Sequence, residues 1–89
     1  MGQEKWGFDF DVAQEMSERL ITAADILEAE NTRMQHNFAV LENSWLDEVY
    51  DEFKERFHEA DKTIAVAVEQ LKMINKSMLE YMVLLMEAK

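Results

Sequence analysis

Leu41-Glu42-Asn43-Ser44-Trp45-Leu46-Asp47-Glu48-Val49-Tyr50-Asp51-Glu52-Phe53 is the stretch on which the fold turns. Two long amphipathic segments flank it. Asn43 tolerates the left-handed backbone that ends a helix. Ser44 is a good N-cap, and Asp47 lies three residues on as its carboxylate partner. The spacing therefore predicts a turn at 42–44 and a new helix from Trp45. A large ring is unusual at a turn, where small polar residues are favoured. Trp45 is thus expected either to pack over a hairpin tip or to be presented to a partner.

Upstream, Asp11 is the expected N-cap, with Gln14 in the capping-box position. Apolar residues then fall at Val12, Met16, Leu20, Ala23, Leu27, Met34, Phe38 and Leu41. That is one helical stripe, interrupted by Glu30 and Asn31, and it predicts helix one over about 10–41. Downstream the stripe is Trp45, Val49, Phe53, Phe57, Ala60, Ile64, Ala67, Leu71, Ile74, Met78, Met82 and Leu85. Every step is three or four residues, which predicts helix two over about 45–87, a rod of ~65 Å at 1.5 Å per residue. The chain has no Pro, and both Gly lie within its first seven residues. Nothing after residue 8 breaks a helix.

The expected fold class is therefore all-α, a single domain over 1–89 in which a short link makes two long helices antiparallel neighbours. A stripe repeating close to 3.5 residues makes their seam coiled-coil-like. Two helices do not enclose a core. Ile21, Ile26, Tyr50, Val66, Val68, Met73, Leu79 and Val83 are left off the stripes. From Met78 to Met86 only Glu80 is charged, and a helix apolar on every side is a buried one. A partner surface is expected at Leu79, Met82, Val83 and Met86, with two hairpins packing as a four-helix bundle.

Composition excludes several function classes. The net charge of −10 makes nucleic acid a poor partner, because phosphate binding needs clustered Lys and Arg. Eight carboxylates against Lys54 and Arg56 between Glu42 and Asp61 make the tip strongly acidic. Without Cys there is neither a disulfide framework nor a thiolate site. No small-molecule substrate, cofactor or metal is expected, and no enzyme. A phosphate-binding Gly-rich loop is absent, and Ser17 and Ser77 lie far in sequence from either His. Glu55-Arg56-Phe57-His58 has the Glu-x-x-His spacing of di-iron bundles. His58, however, sits about 100° off the stripe, so a surface His is the expectation there. The N-terminus lacks a basic stretch leading into an apolar core, so no signal peptide is expected. No apolar run reaches the ~18 residues of a membrane span.

A Trp in the turn of a two-helix hairpin of this length resembles the WXG-motif family, the small helical-hairpin proteins of type VII secretion. Trp45-Leu46 matches the turn motif, and Phe53 and Phe57 match later aromatic positions. Asp47 stands where the family has Gly. Its side chain can supply an oxygen to free backbone N–H groups, replacing flexibility with capping. The family's Tyr-x-x-x-Asp/Glu export signal is missing, since Leu85 follows Tyr81 by four. Phe57-His58-Glu59-Ala60-Asp61 is similar to a Phe-x-x-x-Asp pattern of small proteins that accompany LXG-type toxins, which makes Phe57 and Asp61 a candidate recognition pair.

The resemblance implies a protein exported from the bacterial cytoplasm to the medium or cell surface, or a targeting partner of a larger toxin. Its implied partners are a second copy, another hairpin or a toxin's N-terminal helical domain, and the secretion ATPase. The alternative is a cytosolic coiled-coil adaptor or structural dimer. Ten negative charges per copy argue against self-pairing, though modestly where charges are exposed and salt is physiological.

Overall fold

The computed structural model describes residues 4–88. A two-residue strand β1 (Glu4–Lys5) pairs antiparallel with β2 (Phe8–Asp9). Two long helices follow, α1 (Phe10–Glu42) and α2 (Val49–Glu87), packed against each other as an antiparallel hairpin 66 Å long and 18 by 16 Å across. The all-α hairpin read from the stripes is the fold. The small β-hairpin was not anticipated. Its two-residue turn, Trp6-Gly7, has positive φ at both positions (58° and 78°), the geometry that tight hairpins need. Gly7 meets that need freely, and a Trp in the left-handed region is uncommon.

The helix ends differ from expectation in instructive ways. Asp9, not Asp11, caps α1, accepting from the backbone N–H groups of Asp11 and Val12 at 3.0 and 3.2 Å. Asn43 keeps right-handed helical geometry (φ −64°, ψ −23°) instead of turning left-handed. The Ser44 hydroxyl donates back to the Leu41 carbonyl and so does not cap α2. Asp47 does that work: Oδ1 accepts from Val49 N–H at 3.0 Å, and its carbonyl accepts from Tyr50 N–H. The connection is consequently 43–48, longer than the expected 42–44, and α2 begins at Val49 rather than Trp45. Aromatic packing is the physical reason. In a continuous helix Trp45 and Phe53 would be ~12 Å apart along the axis. Leaving 45–48 non-helical brings the two rings to 5.0 Å.

The seam is also rotated from the predicted stripes. On α1 it runs through Phe10, Ala13, Ser17, Leu20, Ala24, Leu27, Asn31 and Phe38. On α2 it runs through Phe57, Asp61, Ile64, Val68, Leu71, Asn75, Met78, Met82 and Leu85. All of these are buried or half-buried, in three–four alternation apart from one seven-residue step. Val12, at 60% exposed, and Met16 lie off it, as do Val49, Phe53, Ala60 and Ile74. Small and polar residues displaced them. Ala13, Ser17 and Ala24 let the helices approach closely. The Ser17 hydroxyl donates across the seam to Asn75 Oδ1 at 2.6 Å. Gln35 Nε2 donates to Asp61 Oδ1 at 2.8 Å. Polar pairs of this kind fix register in coiled coils.

Candidate pairing surface

At the tip, the ring of Phe38 stacks on Phe57 at 4.5 Å and on Phe53 and Tyr50 at 5.8 and 6.1 Å. The half-buried Trp45 closes this cluster from the loop, tilted on Phe53 and edge-on to Tyr50. The expected turn anchor is thus packed over the hairpin tip. Leu46 beside it is 95% exposed. Asp47 spends its side chain on the start of α2.

A polar clasp crosses the tip on the other side of Tyr50. The Tyr50 hydroxyl donates to Glu42, and Lys54 Nζ lies 3.3 Å from the same carboxylate and 5.7 Å above the Tyr50 ring. The Tyr50 bond, then Lys54, holds Glu42 below its usual 4.5. Partial burial, then the Glu42 carboxylate, pushes the Tyr50 phenol above 10.0. Glu42 likewise raises Lys54 above 10.5. All three act in the direction expected of mutual charge and hydrogen-bond stabilisation.

Phe57 and Asp61 do not share an exposed edge. Both are half-buried on the seam, one stacked on Phe38 and the other accepting from Gln35. Any recognition role for them competes with contacts they already make. His58 is exposed, its ring edge-on to Phe38 and Phe57. Among the described residues no three His, Asp or Glu are grouped to hold a metal.

The hairpin is a two-helix layer with two broad faces. One is marked by Lys72, which pairs with Glu28 across the helices at 2.7 Å. A shallow groove on this face is lined by Asn31, Gln35, Ala65 and Glu69 among others. The opposite face, marked by Ile74, lies on the far side of the seam by the 100° step of the helix. At its tip end a groove of about 280 Å³ is lined by Met34, Asn37, Phe38, Leu41, Phe53 and Phe57.

These faces divide the apolar segment 78–86. Met78, Met82 and Leu85 belong to the seam. Leu79, Val83 and Met86 are exposed on the Lys72 side, and Tyr81 and Leu84 on the Ile74 side. Of the four residues expected at a partner interface, Met82 is therefore half-buried within the hairpin. The other three are exposed. Sequence reasoning did not isolate the longer Ile74 face. Phe53 and Ile74 were merged with the seam into one stripe, and Tyr81 and Leu84 were left off it.

No helix among the described residues is long and apolar enough to cross a membrane. Comparison of the chain with protein-family models, with curated proteins and with solved structures finds no match.

Proposed function

We propose that this chain acts by helical pairing, as a type VII secretion protein of the WXG kind. It is either exported itself or serves as the targeting partner of a larger toxin. The observation that carries this reading is an antiparallel hairpin whose Trp45 turn is packed and whose sides leave large apolar residues uncovered, Ile26, Met73, Ile74, Val83 and Leu84 among them. Exposed apolar area on this scale in so thin a molecule is the mark of an interaction surface. The paired bundle would present its acidic tip, with Leu46 at the apex, to the secretion ATPase. No catalysis enters this mechanism.

The engagement of Phe57 and Asp61 within the seam supports a second reading, a cytosolic adaptor or structural dimer. In that case the Phe-x-x-x-Asp spacing is structural only.

A secretion assay separates them. In the producing cell, deletion of the secretion ATPase should retain this chain, or the toxin that depends on it, inside. Export that is unchanged by the deletion, or absent with the ATPase intact, would leave the adaptor reading in place. Trp45→Ala should lower folding stability by about 1.5–3 kcal/mol, less than the ~3–5 of a fully buried aromatic, and should reduce export with it.

A further inference from the structure

The seam runs one layer farther than α1 does. Ser17 meets Asn75 across it. Seven residues toward the open end, Phe10, the first residue of α1, therefore comes opposite Met82. The next seam residue on α2 is Leu85. Its counterpart, three residues before Phe10, is Gly7, in the turn of the β-hairpin. No residue of α1 faces Leu85, yet it is only 7% exposed. The β-hairpin stands where a further turn of α1 would be. Its Phe8 ring lies edge-on to Phe10 at 5.4 Å and to Tyr81 at 5.3 Å. Tyr81 is one helical turn from Leu85, on the same side of α2.

This cover is lightly held. β1 and β2 have two residues each and pair with each other alone, and a two-stranded hairpin by itself is marginal in water. Trp6 sits at φ 58°, a conformation that disfavours a side chain. At 71% exposed it recovers little of that cost by burial. Nothing lies within 4 Å of the position that a Cβ on Gly7 would take, so the turn borders open space there. The root is firmer, because the Asp9 side chain accepts from the backbone of α1 at Asp11 and Val12. Contact with α2 is made through the Phe8 ring on Tyr81.

We propose that the β-hairpin is a strap, hinged at Asp9, that closes over Leu85 and opens without unfolding of the rod. Closed, it buries the last layer of the seam. Open, it uncovers Leu85 and the covered side of Tyr81, beside Leu84 and Met86, which are exposed in either state. The end of α2 then presents a wider apolar surface. If pairing as proposed above uses this end, the strap is an autoinhibitory contact. A partner that takes Leu85 binds the open form alone, and its apparent affinity falls by the open fraction. That consequence rests on the pairing reading; the opening of the strap does not.

Hydrogen exchange of the purified full chain, resolved along the backbone, tests the strap. Amides of 83–87 should exchange through an opening that low urea leaves unchanged, because it exposes little surface. Those beside Phe38 should need unfolding of the rod. Thermolysin cleavage at Leu84 and Leu85 gives a second readout, since proteolysis tracks the population of the open form. Trp6→Asn supplies the residue that a two-residue hairpin turn prefers before Gly. It should slow exchange and cleavage at this end about 5–30-fold. Phe8→Ala should speed both by about 10-fold or more, through loss of its ring contacts. If Phe8→Ala loses helix by circular dichroism, Trp6→Asn, a change at an exposed side chain, is the variant to read. Amides of 83–87 that exchange only together with those beside Phe38, with the same urea dependence, overturn the proposal. So does an end whose exchange ignores either substitution, because simple fraying of α2 needs no strap. No partner enters these measurements. A strap that passes them in a chain that is never exported stands without the secretion reading. Export that depends on the ATPase, in a chain that fails them, leaves that reading without the strap.

Discussion

Glu42 gathers Tyr50 and Lys54 around one carboxylate at the point where α1 ends. Its lowered pKa means that it stabilises the folded tip above its unfolded value, near 4.5. That contribution is lost as pH falls through its folded value. Tyr50 and Lys54 are raised, so theirs is present below about pH 10 and lost as pH climbs through their folded values. Glu42→Gln should therefore lower the melting temperature most at neutral pH. Its difference from wild type should shrink on acidification and again at strong alkalinity. A difference constant from neutrality down to pH 3 would show that the clasp contributes nothing through charge. Residue chemistry near the tip was partly legible in the sequence. Asp47 was recognisable as an acceptor for free backbone N–H groups, because Asp is favoured beside a helix start for that role. Ser44 looked the better cap and was not, since its hydroxyl reached the nearer Leu41 carbonyl first. Capping rules rank residue types; they do not see that Trp45 must stay off the helix to reach Phe53.

The two long helices were legible from spacing alone, because a breaker-free chain with three–four periodicity has few other options. Their mutual rotation was not. A stripe built from apolar residues passes over Ser17, Asn31, Asp61 and Asn75, and these four sit on the seam. Two of the polar contacts there are satisfied across it, Ser17 to Asn75 and Gln35 to Asp61. Asn31 differs: its Oδ1 is buried and has no hydrogen-bond partner among the described residues. An unsatisfied buried carbonyl costs about 1–3 kcal/mol. Asn31→Leu should therefore raise stability by about 1–2 kcal/mol, read as a higher urea midpoint with the slope unchanged. A lower midpoint would mean that the amide makes a bond essential to the seam. The same substitution lengthens the apolar run on α1 and should make register less strictly defined, as loss of a seam Asn does in coiled coils. What hid the seam in the sequence was thus a real division of labour. Polar residues set the alignment of α1 and α2, and the conspicuous apolar ones were left partly for another surface.

At the scale of the whole molecule, one layer of two helices 66 Å long has six buried apolar residues spread thinly between its ends: Ala13, Leu20, Ala24, Phe38, Val68 and Leu85. The surplus of apolar residues beyond what two helices bury was readable in the sequence. Which faces leave them exposed was not, because that depends on the rotation that the polar seam imposes. The aromatic stack has its own consequence, in the order of events when the chain folds. Phe38 and Phe57 are nineteen residues apart, while the Ser17–Asn75 contact closes a separation of 58. Loop entropy makes the second closure costlier by about 1 kcal/mol. The aromatic stack at the tip is therefore cheaper to close than the contacts farther along the seam, and the hairpin should zip from the tip toward the open end, where Phe8 reaches Tyr81 last. Phe57→Leu should slow refolding, whereas Leu85→Ala should chiefly speed unfolding. Backbone amides should then exchange with solvent soonest at the start of α1 and the end of α2, and latest beside Phe38, so that the two ends of the rod differ in how often they open.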